Sequence, residues 1–402
     1  MKKFCYCHTK IFLLLVMLLL FINIIIFKRE LKKYNYPSYF KELEEELDDI
    51  QNYIDMTLNG TLIDKGHFFS SNNPKISIII TVFNGEAYLK TSLLSIQNQD
   101  FKDIEIVIID DCSLDNSLKI IKELMNKDPR IVLYKNDENK GIMYTKTKAI
   151  LSAKGKYILI LDVDDMYAQR DAFSILYNEA EKYNLDLLGF KLIYSSQKLK
   201  KFRGTRSKND SQIIYQPDLS KIMFKHSFNG EIKMSGGLLL YYLMKRDILV
   251  KVIEQIDKKY FDKKMNHYED YIIFFLLTRT ANNLKSIDRF FYIKFFGWNM
   301  SEPNVKFRLY HKFKDIKSRK CSSLLYFLEI MLDKTNNTFN DKKIAVFCFN
   351  KMLLNDFCRN DTAYRKRTIT ISKLYLDNKY IQDIDKINIS LYLKEITFKK
   401  NI

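Results

Sequence analysis

Two acidic clusters stand directly after runs of aliphatic and β-branched residues. Ile104–Ile109 leads into Asp110-Asp111-Cys112-Ser113, and Tyr157–Leu161 leads into Asp162-Val163-Asp164-Asp165. Three carboxylates within four residues repel one another unless they share a cation, and an all-oxygen donor set selects Mg2+ or Mn2+ over zinc. An aspartate that ends a strand also serves as a helix cap, so each cluster alone has a bland explanation. Two clusters on neighbouring strand ends argue for a shared site. A third chemistry-bearing stretch is Thr81-Val82-Phe83-Asn84-Gly85-Glu86. It lacks the glycine pattern of a dinucleotide or P-loop cradle. An aromatic ring and small polar groups at that place could hold a nucleobase, with an acid such as Asp111 accepting from a ring or sugar hydrogen; the simpler alternative is a turn with a core Phe.

The elements that must position these residues alternate in type. Short β-branched runs at Ile76–Val82, Ile104–Ile109, Ile131–Tyr134, Tyr157–Leu161 and Leu185–Phe190 predict strands. The helical stretches between them are Ala87–Gln97, Leu114–Asn126, Ile142–Ala153 and Ala172–Tyr183. Such alternation predicts a mostly parallel sheet flanked by helices, an α/β fold. Ligands of these sheets bind beyond the carboxyl ends of the strands, which is where both acidic clusters fall.

In this order, Pro74-Lys75-Ile76-Ser77-Ile78-Ile79-Ile80-Thr81-Val82-Phe83-Asn84, Ser95-Ile96-Gln97-Asn98-Gln99, Asp110-Asp111-Cys112-Ser113-Leu114-Asp115, Asn139-Lys140-Gly141, Lys154-Gly155-Lys156-Tyr157 and Asp162-Val163-Asp164-Asp165 resemble the inverting family 2 glycosyltransferases of GT-A fold. The resemblance covers about residues 74 to 190. It implies a Rossmann-like GT-A sheet and a nucleotide-diphosphate sugar donor bound by Thr81, Phe83, Glu86, Asp111, Lys146, Asp162 and Asp164. It also implies a divalent ion, Mn2+ or Mg2+, at the Asp-X-Asp pair Asp162 and Asp164, with Asp164 the chief ligand. The family's base lies in an acidic pair opening a helix, which maps to Glu269-Asp270 before the apolar stretch Tyr271–Leu277, with Asp270 as the base. Merely complementing a helix N-terminus is the competing role for these two acids. The implied activity is that of a hexosyl- or N-acetylhexosaminyltransferase acting on a hydroxyl of a glycan, glycoprotein or glycolipid. Three positions depart from the family's frequent residues: Thr81 stands for Pro, Cys112 for Gly, and Lys146-Thr147 for Arg-Asn. The last leaves the phosphate and ribose contacts open, with Lys146 still able to supply charge. Looser resemblances are Gly236–Asp247, as an acceptor-side strand, and Phe291–Trp298, after the base. His267 is a further candidate metal contact, although a lone histidine beside a helix start is more often structural.

Composition bounds the remaining choices. With 402 residues, 47% hydrophobic and 28% charged, the chain folds around a packed core, and 11 Gly and 5 Pro exclude a collagen-like or low-complexity polymer. Six cysteines are too few for a disulfide scaffold, and their spacing matches no zinc site. The net charge of +18 is uneven: residues 191–402 hold 42 Lys+Arg against 21 Asp+Glu, whereas residues 1–190 hold 24 against 27. A basic half suits nucleic acid, acidic lipid or a phosphorylated small molecule, or is simply a lysine-rich solvated surface. Nucleic acid is not expected as a partner, because Ile11–Phe27 reads as an uncleaved membrane anchor, a cleaved signal peptide being the competing reading. Cys5 and Cys7 before it are possible sites of S-acylation or idle thiols. Lysines flank the anchor on both sides and do not orient it. Asn-X-Ser/Thr sequons at Asn59, Asn209, Asn299, Asn336, Asn360 and Asn388 fit a lumenal body, as in a type II protein of the Golgi or endoplasmic reticulum.

The expected organisation is a short tail (1–10), the transmembrane anchor (11–27), a stem (28–73), the donor half of the GT-A domain (74–190), its acceptor half (191–302) and a basic helical C-terminal region (303–402). In the stem, Phe40, Leu43, Leu47, Ile50 and Ile54 form a helical stripe. This stripe could pair with a second copy as a homodimeric coiled coil or lie on the chain's own globular domain. The functional expectation is a membrane-anchored inverting glycosyltransferase. Its rival is a catalytically inactive binding protein that keeps the same fold, against which the retained Asp-X-Asp and Glu-Asp pairs argue.

Overall fold

The structure, a computed structural model, describes residues 36–61, 68–196, 212–221, 224–226, 232–234, 239–258, 261 and 269–296. The anchor at 11–27, Cys5, Cys7, Gly236, Gly237, His267, Trp298 and the region 303–402 lie outside the described residues. The chain divides into two compact units, residues 1–59 and 60–402. In the first, helix α1 (Tyr36–Leu58) matches the expected stem helix. Its Ile50 and Ile54 are buried, as the stripe requires, while Phe40, Leu43 and Leu47 lie outside the residues whose side chains are described. Among the described residues no helix is long and apolar enough to cross a membrane.

The second unit begins with the expected alternation. Strand β1 (Ile76–Val82) is followed by α2 (Leu89–Gln97), β2 (Ile104–Asp110), α3 (Ser117–Met125), β3 (Ile131–Lys135), α4 (Ile142–Ser152) and β4 (Tyr157–Ile160). These four strands are parallel to their neighbours, in the spatial order β3-β2-β1-β4. Every residue of β2 and β4 is buried, and β1 is buried except for half-exposed Thr81. A strand covered on both faces reads as a continuous aliphatic run, and these do.

Beyond β4 the sheet becomes mixed, which corrects the expectation of a mostly parallel one. After β5 (Met166–Tyr167) and α5 (Ala172–Lys182), β6 (Leu187–Ser196) enters the sheet, but not beside β4. Strand β10 (Tyr242–Lys245), reached after the short strands β7 (Ile214–Tyr215), β8 (Phe224–His226) and β9 (Ile232–Met234), slots between β4 and β6 and is antiparallel to both. Helices α6 (Arg246–Glu254) and α7 (Glu269–Thr280) follow, and then β11 (Asn283–Phe296), parallel to β6 and antiparallel to β5 and β7. The nine-stranded order is β3-β2-β1-β4-β10-β6-β11-β5, with β7 also on β11. Hairpin β8–β9 stands apart.

Gly155 closes the rim opposite the acidic strand ends. A Cβ there would lie 2.5 Å from the Ser77 backbone nitrogen, inside contact distance. Its N–H donates to Ser77 Oγ at 2.8 Å and to Glu105 Oε1 at 3.1 Å, and Ser77 Oγ donates to the same carboxylate. The Lys154-Gly155-Lys156-Tyr157 motif thus stitches the starts of β1, β2 and β4 together.

Candidate active site

The site is built on the carboxyl rim of β1, β2 and β4, with contributions from α4, α7 and β11, all within the second unit. After β1 the chain turns at Asn84, whose φ of 55° is left-handed. The turn is locked to the segment after β2: Asn84 N–H donates to Ser113 Oγ, Leu114 N–H donates to Asn84 Oδ1, and Gly85 N–H donates to Ser117 Oγ. Glu86 joins this lock, its Oε2 accepting from both the backbone and the side-chain nitrogens of Asn116 at 2.8 Å. Cys112 has a φ of 62°, which explains why glycine suits that position: the left-handed region carries no Cβ penalty for it. Thr81 ends the strand half-buried, and the Phe83 ring is 47% exposed at the rim, open to a planar ligand.

Asp111 has a more constrained place than an open nucleobase acceptor. Its Oδ1 accepts from Asn136 Nδ2 and the Lys140 N–H at 2.8 Å each, and its Oδ2 accepts from the Gly141 N–H at 2.9 Å. Gly141, at φ 86°, precedes the first residue of α4, so Asp111 fastens the loop that launches this helix. A glycine is required there because only it adopts that backbone cheaply. Asn136, absent from the expected site, orients Asp111 and also donates to Thr145 Oγ1 at 3.1 Å.

Helix α4 carries Lys146 inward until only 2% of its side chain is exposed. The expectation for this residue was a donor contact. Its Nζ lies 2.5 Å from Asp270 Oδ1 and 2.9 Å from Glu269 Oε1, so the first turn of α7 and the middle of α4 are joined by a buried ion triplet. Burial pushes the Asp270 carboxyl up, to about 6, against the opposing pull of the Lys146 charge; Glu269 and Asp162 add to the upward push. The same two carboxylates hold the Lys146 ammonium well above its ordinary value despite its desolvation.

Ligand oxygens of Asp162, Asp164 and Asp165 lie within 4.8 Å of one another. Asp165 is committed to structure: its Oδ1 accepts from the Phe295 N–H at 3.0 Å, and its Oδ2 accepts from the Tyr292 hydroxyl at 2.8 Å and from Lys294 Nζ at 3.0 Å. Lys294 also reaches Asp162 Oδ2 at 3.0 Å, and the Asp162 N–H donates to the Tyr292 oxygen at 3.1 Å. Burial, with the neighbouring Asp162 charge, raises the Asp165 carboxyl to about 7 and also raises Asp164. Three crowded carboxylate oxygen donors, of which Lys294 touches those of Asp162 and Asp165, fit a hard divalent cation. Asp162 and Asp164 are the two that would hold it. Lys294 and Tyr292 were missed by sequence reasoning, since nothing in the spacing of β11 marks them as partners of a loop about 130 positions earlier.

The structure therefore brings Lys146, Asp162, Asp164, Glu269 and Asp270 into one electrostatic neighbourhood, with the Asp162 charge acting on both Lys146 and Asp270. Thr81, Phe83, Glu86 and Asp111 frame the neighbouring rim of β1 and β2.

Residues 77–236 match the family described as "Glycosyl transferase family 2". A GalNAc(5)-diNAcBac-PP-undecaprenol beta-1,3-glucosyltransferase of Campylobacter jejuni is 35% identical over 164 residues, 40% of this chain and 52% of that protein. An uncharacterized glycosyltransferase of Haemophilus influenzae is 41% identical over 97 residues, 24% of this chain and 39% of that protein. The chain thus spans only about a third to a half of these relatives' lengths. In fold, it is similar to S. aureus TarS residues 1–349 solved with UDP-GlcNAc, at a TM-score of 0.53 and 16% identity, covering 77% of this chain and 82% of that one.

Proposed function

We propose that this protein is an inverting glycosyltransferase that moves one sugar from a nucleotide-diphosphate sugar to a hydroxyl of a glycan or glycolipid acceptor. The observation that carries this reading is the meeting of two carboxylate centres on one rim: Asp162 and Asp164 at the end of β4, and Asp270 at the start of α7, close enough for the charge of the first to act on the last. The match of residues 77–236 to the glycosyl transferase family 2 model and the TarS-like fold support a sugar nucleotide as donor.

In this reading Thr81 and Phe83 receive the base of the donor, Phe83 through its exposed ring. The lock between the first two strand ends, including Glu86 and Asp111, keeps that receptacle shaped. Asp162 and Asp164 hold Mn2+ or Mg2+, which when bound neutralises charge on the diphosphate. Asp270 takes the proton of the acceptor hydroxyl while that oxygen forms its bond to the anomeric carbon. The bond from the anomeric carbon to the diphosphate oxygen breaks, and the nucleoside diphosphate leaves with the electron pair. Attack from the face opposite the leaving group inverts the anomeric centre.

Residues 11–27 anchor the chain in a membrane, which brings the site to lipid-linked acceptors. The named relatives are prokaryotic, so the Golgi and endoplasmic reticulum are not retained in this proposal. Incubation of the full chain with a panel of nucleotide sugars and Mn2+ tests it: one donor is expected to release its nucleoside diphosphate, and Asp164→Ala to abolish that release. A folded chain that binds and cleaves none of the panel would overturn the reading.

A further inference from the structure

Lys146 stands where a positively charged donor contact is expected, yet its ammonium contacts two carboxylates of the helix that carries the proposed base. Its side chain is 2% exposed, and its ammonium lies 2.9 Å from Glu269 and 2.5 Å from Asp270. The other charges bearing on Asp270 are Glu269, on its own helix, and Asp162, from the end of β4, and both are negative. Among the described residues, Lys146 is the cation that touches Asp270. To bind donor phosphate, it would have to abandon two acids in a buried pocket.

We propose that Lys146 is a positioning residue: from α4 it holds the Asp270 carboxylate ionised and aimed at the acceptor, and it does not bind the donor phosphates. The inference rests on the glycosyltransferase reading for what Asp270 does, but the pairing itself stands on geometry. Removing a partner from a buried ion cluster leaves uncompensated charge, which is relieved by protonation. Here the group relieved would be the base. Without Lys146, Glu269 and Asp270 would lie side by side with the ammonium that touches both removed, and Asp270 would take up a proton at a higher pH.

Two readouts on the full chain separate this from a phosphate role. One is the pH profile of kcat for nucleotide release from the donor that the panel identifies. The other is the titration of the Asp270 carboxyl carbon by carbon-13 NMR, assigned by its loss in Asp270→Asn. In Lys146→Met, both midpoints are expected to rise by about one pH unit or more, the size of effect an adjacent opposite charge exerts on a carboxyl. The donor KM is expected to stay close to that of the wild type. Lys146→Arg, which keeps the charge, should return both midpoints to near their original positions; where the methionine variant does not fold, Lys146→Gln replaces it. A raised donor KM with unmoved midpoints would overturn the proposal and restore Lys146 to the donor. A chain that releases nucleotide from no donor would defeat the glycosyltransferase reading, and the NMR titration would still decide whether Lys146 controls Asp270.

Discussion

At the scale of single residues, the site works by setting carboxylates against each other and against two lysines. Asp270 must be ionised to act as a base, and burial raises its carboxyl to about 6. The deprotonated form therefore prevails only above that value, and turnover should climb as pH rises through about 6 and level off beyond it. A pH profile that stays flat down to pH 5 would contradict the assignment. Asp270→Asn should lower kcat by about 10²-fold or more, the usual loss with a general base, while circular dichroism stays unchanged. Tyr292→Phe removes the hydroxyl that donates to Asp165 and accepts from the Asp162 N–H. It should destabilise the fold by about 1–3 kcal/mol, read by thermal unfolding, and weaken Mn2+ binding by loosening the loop. Asp162 and Asp164 are legible in the sequence because they follow an aliphatic run, where the change in hydrophobic pattern marks them, whereas Asp270 is reached through the family resemblance. Lys294, Tyr292 and Asn136 are not, because their roles arise only from chain crossings tens to more than a hundred positions apart. The identity of Lys146 is readable, but its partners are not: a lysine inside a helix gives no sign of which distant acids it will meet.

At the scale of elements, the parallel half of the sheet follows from local pattern. The runs 76–82, 104–110 and 157–160 are aliphatic and almost wholly buried, the run 131–135 is a partly exposed strand beside 104–110, and helices separate them. The mixed half was legible in part: Leu185–Phe190 reads as a strand and overlaps β6, and Gly236–Asp247, which resembles an acceptor-side strand, contains β10, but their arrangement was not readable. Strand β10 has four residues and pairs with strands 50 to 90 positions earlier, so no periodicity indicates its slot between β4 and β6. That insertion has consequences for the site, since it leads the chain through α6 to α7 and so delivers Asp270 to the rim. Strand β11 does the same for Lys294. On the opposite rim, Gly155 permits the close approach of β1 to the start of β4. Gly155→Ala would push a methyl against the Ser77 backbone, 2.5 Å away. Overpacking of this kind costs about 1–3 kcal/mol. The expected outcome is a lower Tm with the pH midpoint of turnover unmoved, since the residue is far from the carboxyl rim.

At the scale of the whole molecule, the division into residues 1–59 and 60–402 places the entire site in the second unit. If residues 11–27 anchor the chain, the full protein should stay with membranes through a high-salt wash, while a version lacking residues 1–27 should be released. Release of the full chain by salt alone would instead assign its membrane affinity to the basic residues of its second half, an interaction that salt screens. The central claim is a single displacement on the anomeric carbon with Asp270 as base. The most direct measurement is proton NMR of the sugar freed from an α-linked donor, taken early enough to precede mutarotation, with water as acceptor and with Asp270→Asn as control. The account predicts that the β anomer appears first and that the control forms none. First appearance of the α anomer, or equal release by Asp270→Asn, would contradict it.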